Sequence, residues 1–200
     1  MILAIPLAWL QLKREKFRLL VALAGVGFAV VLIFMQLGFQ EALFESSVRY
    51  HNTFIYDLAM ISPKMDFIVQ PEGFSRRRLI QVLGISGVES VAPVYLGQAS
   101  WRNPEAPSEA RSIFVVGFDP SDRVLALPEV NDNLDRLRLP DKVLFDAKSR
   151  PEFGPIARLY RESGPLEVEV SGRSLEVVGL FELGTSFGID AAIITSDLNF

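Results

Sequence analysis

The side chains able to do chemistry are few and scattered. The chain has one histidine, His51, and no cysteine. Disulfide, zinc-thiolate and cysteine-nucleophile chemistry are therefore closed to it. His51 has Asp57 as its one nearby neighbour of ligand type, and a lone histidine so placed reads as a surface or packing residue. Glu167 and Glu169 stand two apart in an alternating segment, on one face of a strand. That spacing could serve general acid–base work, but it is also what a solvated strand face looks like. Neither G-x-x-x-x-G-K-[ST] nor G-x-S-x-G occurs, which removes the P-loop and the nucleophile elbow. Arg76, Arg77 and Arg78 begin a predicted helix, where the helix dipole disfavours positive charge. An acidic neighbour or an anionic lipid head would compensate, but a solvated trio is the preferred reading. No catalytic residue, cofactor or metal is expected, and the chain is not read as an enzyme.

What positions these residues is a chain divided by one apolar run. Residues 19–40 contain no charged side chain, and Gln36 and Gln40 are the strongly polar ones. A helix of about 22 residues at ~1.5 Å rise covers about 33 Å, enough for a hydrocarbon core of ~30 Å. A core helix of a soluble domain would show a polar stripe. A secretion signal would have a shorter apolar region and a small-residue cleavage site. The run is read as a membrane span that includes Leu19, Leu20, Val30, Val31, Ile33, Phe34 and Leu37. It has no ionisable group to relay protons or ions. Gly25, Gly27 and Gly38 give only a weak helix-packing signal. Lys13, Arg14, Lys16 and Arg18 precede it, and Glu41 and Glu45 follow it. The positive-inside rule then places the N-terminus in the cytoplasm and the later residues outside. Trp9, in "PLAWLQLKREK", has the shape favoured at headgroup level. Residues 1–18 read as an interfacial helix and cytoplasmic anchor, or else as a frayed apolar terminus.

The net charge is −4. Four basic and two acidic residues precede residue 45, so the exported part carries about −6. That balance argues against nucleic acid as a partner. The span is expected to continue as a helical stalk over 41–56, with Leu37, Phe44 and Val48 on one face. Residues 57–200 then read as an α+β domain of one or two lobes, with helices among antiparallel strands. Expected strands are 57–62, 88–101, 110–118, 142–146 and 191–195, together with a hairpin turning at Ser171-Gly172. Expected helices run from Ser75 to Gly84, around 131–138, from Pro155 through "IARLYRES", and onward from Ser196. "RNPEAPSEA" reads as an acidic, Pro-rich loop at a hairpin tip.

The segments "IPLAWLQLKREKFRLLVALAG", "FMQLGFQEALFESSV", "SRRRL", "GVESVAPVY", "RSIFVVGFDP", "LPEVNDNLDRLRLPDKVLFDAKSRPEFGPIA", "GRSLEVVGLFELGTSFG" and "ITSDLNF" together resemble DevC proteins. These are permease subunits of cyanobacterial heterocyst-type ABC exporters, within the MacB/FtsX superfamily. The resemblance covers nearly the whole chain and is weakest at 49–74 and 98–109. It implies an inner-membrane protein whose MacB-type periplasmic domain lies between a first and a second span. It further implies a dimer, a separate cytoplasmic ATPase, and a periplasmic adaptor leading to a TolC-like duct. The 98–109 loop, with Trp101, Arg102, Asn103 and Glu105, is the expected adaptor contact. The sequence stops at Phe200, where a second span would be approaching, so it is expected to be the front part of a longer permease. The alternative is a single-span periplasmic scaffold or sensor domain without transport activity. A membrane-anchored hydrolase lacks the residues it would need.

Overall fold

The computed structural model describes residues 14–200, in two compact units that divide after Glu45. Trp9, Lys13 and most of the expected interfacial segment lie outside the described residues. The first unit consists of most of helix α1, Lys16–Val48, with no buried residue along its length. Its mean hydropathy of 2.5 over 18 residues makes it long and apolar enough to cross a membrane. Leu19, Leu20, Val30, Val31, Ile33, Phe34 and Leu37 all lie on it, and Lys16 and Arg18 are in its first turn, with Arg14 just before.

The second unit, from Ser46, is built on six strands: β1 Val94–Asn103, β2 Ala106–Phe118, β3 Lys142–Asp146, β4 Leu166–Val170, β5 Arg173–Phe181 and β6 Ala192–Ser196. They close into a barrel in the order β1-β2-β6-β3-β5-β4. The class is α+β, as the sequence suggests. Two of the pairings, β2 with β6 and β3 with β5, are parallel, which corrects the antiparallel expectation. Parallel neighbours need a crossover, and residues 119–191 supply it between β2 and β6.

Alternation along each strand sends side chains to two faces. Trp101, Ile113, Val115, Val143, Phe145, Val168, Val170, Val177 and Ile193 point inward and fill the barrel, with Phe153 and Ile156 packed against them. Phe114, Val116, Phe118, Leu144, Phe181, Ala192 and Ile194 point outward under a second cluster that includes Tyr50, Ile68, Leu125, Val130 and Leu137. Two apolar clusters on opposite faces of one sheet, rather than two lobes, are what the sequence pattern encodes. A bulge in the β3–β5 ladder moves the partner of Leu144 to Gly179, where a Cβ would come within 2.8 Å of the Leu144 side chain. Glycine there permits the close approach.

There are four short helices besides α1, α2 Arg77–Leu83, α3 Pro128–Asn131, α4 Leu134–Leu137 and α5 Ile156–Ser163, and the last three pack on the barrel strands. The single helix expected around 131–138 is two, interrupted at Asp132-Asn133. Ser75 is not the N-cap of α2, because Arg76 holds that position and the Ser75 hydroxyl accepts only a long bond from the Arg77 N–H, 3.4 Å. Residues 88–93 precede β1 without joining it. Residues 57–62 form no strand either. The Ile55 N–H bonds Val124 O at 2.8 Å, and the chain then leaves the sheet. Ser196 ends β6 rather than starting a helix. The residues after it make one turn that lays the Phe200 ring over Gly97 and Gly117.

Candidate functional site

Two places gather the polar side chains: the tip of the β1–β2 hairpin and the loop at the root of α1. The expected loop at the tip is instead ladder on both sides of a two-residue turn, Pro104-Glu105. Pairing steps from Arg102↔Ala110 to Asn103↔Ala106, so 107–109 bulge out of register. Pro107, which has no N–H to give, fits such a bulge. Residues 107–112 are all exposed, although alternate positions face opposite ways, so this arm has solvent on both faces.

Each of the four residues expected to meet an adaptor has a different placement. Trp101 is fully buried, donates its indole N–H to Phe153 O at 2.9 Å, and packs 5.1 Å from the Phe145 ring. It offers no surface to a partner, and its place in the contact is corrected: an inward position in β1 claims it for the barrel. Asn103 organises the turn. Its Oδ1 accepts the Glu105 N–H at 2.9 Å, and its Nδ2 donates to Glu152 O at 3.3 Å. Arg102 pairs with Glu169 at 3.1 Å, and Glu105 with Arg158 at 3.5 Å. Both pairs are exposed. They set the charge pattern of the tip without contributing much stability.

At the root, Asp146 is fully buried at the end of β3. One carboxylate oxygen accepts the N–H groups of Lys148 at 2.9 Å and Leu183 at 3.2 Å; the other accepts Gly184 N–H at 2.7 Å. Burial raises its pKa above the usual carboxylate value, against those hydrogen bonds and the charge of Lys148. The carboxylate thereby shapes the 183–186 turn, in which Gly184 has φ +85°. That turn grips the last residues of α1. Arg49 donates to Thr185 O at 2.9 Å, and the Ser186 hydroxyl donates to Ser46 O. Tyr50 follows, buried edge-on against Phe114 at 5.5 Å. Burial, then the charge of Asp146, pushes its phenol pKa far up. Two more backbone bonds, Ile55 N–H to Val124 O at 2.8 Å and Ala126 N–H to Thr53 O at 2.7 Å, sew 50–55 onto the barrel.

The remaining sequence candidates stay apart. His51 is exposed in a 3₁₀ turn, His51–Thr53. Glu169 is taken by Arg102, and Glu167 accepts a 3.4 Å bond from the Ser174 hydroxyl. Among the described residues no group of three His, Cys, Asp or Glu side chains is placed to hold a metal ion. Sequence reading missed Asp146, whose sole signal was an acidic residue ending the buried-type strand "KVLFD".

No family model matches the chain, and no curated protein matches it. Among solved structures it is similar to the extracellular domain of the noncanonic ABC-type transporter YknZ from Gram-positive bacteria. The identity is 18%, the TM-score is 0.38, and the match covers 60% of this chain and 61% of that one.

Proposed function

We propose that the chain is part of the permease subunit of a tripartite ABC exporter, anchored in the inner membrane with its N-terminus in the cytoplasm and its barrel domain in the periplasm. The observation that carries this reading is the root. A helix apolar enough to span a membrane ends at Val48, and within the domain Ser46 and Arg49 bond the 183–186 turn that a buried carboxylate holds in shape. The sequence resemblance to heterocyst-type permeases agrees with it. In this reading a separate cytoplasmic ATPase drives the helix, the chain works as a homodimer, and the hairpin tip meets a periplasmic adaptor that leads to a TolC-like duct. The cargo is a glycolipid or another amphiphile.

The test is co-purification from membranes in mild detergent. The ATPase and the adaptor are expected to come down with the chain, and alanine at Arg102 and Glu105 together is expected to lower recovery of the adaptor alone. Isolation of the chain with neither partner would favour a single-span scaffold or sensor domain instead.

A further inference from the structure

Helix α2 is dressed the wrong way round for a helix lying on a water-facing surface. It has no buried residue. Leu79 and Val82 are half-buried, while Ile80, Leu83 and Ile85 are 69%, 49% and 59% exposed. Positions 77, 80 and 83 lie on neighbouring turns at helical spacing, so Arg77 stands beside the exposed Ile80 and Leu83, with Arg76 and Arg78 to either side in sequence. Among the described residues none of the three arginines pairs with a carboxylate. Arg78 bonds Gln81 at 3.2 Å, and the Arg76 guanidinium lies 5.9 Å from the centre of the Tyr95 ring. A merely solvated trio leaves the isoleucines and the leucine unexplained. A run of three exposed cations next to exposed aliphatic side chains is the chemistry of a helix that meets the headgroup layer of an anionic bilayer. A chain with net charge −4 would otherwise be repelled by such a surface.

We propose that Arg76, Arg77, Arg78, Ile80, Leu83 and Ile85 form a docking surface for an anionic membrane. The arginines bind phosphate groups and the three aliphatic side chains enter the acyl boundary. The inference rests on the reading of α1 as a span, which keeps the domain tethered beside a bilayer.

The absence of cysteine makes the test direct. The full chain carrying Ile80→Cys is labelled with an environment-sensitive nitrobenzoxadiazole dye and placed in nanodiscs of phosphatidylcholine, with or without phosphatidylglycerol. A blue shift that appears only with phosphatidylglycerol is expected. It should shrink in 1 M salt, where the Debye length falls to about 3 Å, and vanish when all three arginines are glutamine. Equal emission in both lipids would overturn the proposal, whether shifted in both or in neither. A protein partner for the same face would give that second result. A parallel Val26→Cys label reports the span independently: it should be blue-shifted in both lipids, and a water-like spectrum there would sink the spanning reading and this inference with it.

Discussion

The hairpin tip and the root of α1 are both rich in polar contacts, yet they are built in opposite ways. The tip is held by ion pairs between exposed side chains, Arg102 with Glu169 and Glu105 with Arg158. The root is held by a buried carboxylate on three backbone N–H groups and by a tyrosine inside the core. Exposed pairs contribute roughly 0–1 kcal/mol each, whereas stripping the acceptor from buried donors costs about 1–3 kcal/mol apiece. The difference separates a surface whose charges are free to be read by something else from a joint whose charges are spent on geometry.

The largest test of that contrast is Asp146→Ala. It leaves three N–H groups without their acceptor while removing a desolvated charge, and a net loss of about 3 kcal/mol is expected. Urea unfolding of the full chain in detergent, followed through Trp101 in a Trp9→Phe background, measures it; a loss comparable to that of a tip substitution would erase the distinction. Tyr50→Phe should go the other way. The Tyr50 hydroxyl is buried and has no hydrogen-bond partner, so its removal is expected to be neutral or to stabilise by up to about 1 kcal/mol. A clear destabilisation would mean that the phenol is bonded after all.

A smaller effect is expected from pH. Because burial raises the Asp146 pKa, the folded state holds that proton more tightly than the unfolded chain does. Its stabilising contribution is complete below the ordinary value of 3.8 and fades as pH rises through the raised folded value. The stability of the parent minus that of Asp146→Asn should therefore fall with rising pH across this window and then level off. Smallest of all, Arg102→Ala or Glu105→Ala should change stability by no more than about 0.5 kcal/mol, so any loss of adaptor recovery in these variants is a loss of contact rather than of fold.

The two regions were also unequally legible in the sequence. The β4–β5 hairpin could be read directly, because Ser171-Gly172 supplies the two positive φ values, 50° and 78°, that its turn needs. The apolar run of α1 was equally plain. The tip was misread because Pro104, Pro107 and three acidic or small neighbours look like loop, and a ladder partner is not a local property. The parallel pairing of β2 with β6 is invisible for the same reason: Phe114 and Ala192 lie far apart in sequence. Trp101 was taken for a surface anchor because a period of two leaves the choice of inward face to the rest of the barrel. The root escaped notice because a carboxylate that bonds backbone leaves no motif. Its partners are N–H groups that every residue has.

The strand order has a consequence for how the domain comes into being. β6, which follows the other five strands of the barrel in the chain, lies between β2 and β3, and the seam between β1 and β4 closes over only Trp101↔Val170 and Arg102↔Glu169. Until residues 192–196 leave the ribosome, β2 and β3 each lack a neighbour and the barrel cannot shut. Non-local pairings of this kind are formed late and slowly, and their unpaired edges attract other chains meanwhile. Closure of this barrel therefore depends on one five-residue strand, Ala192–Ser196, that joins β2 to β3.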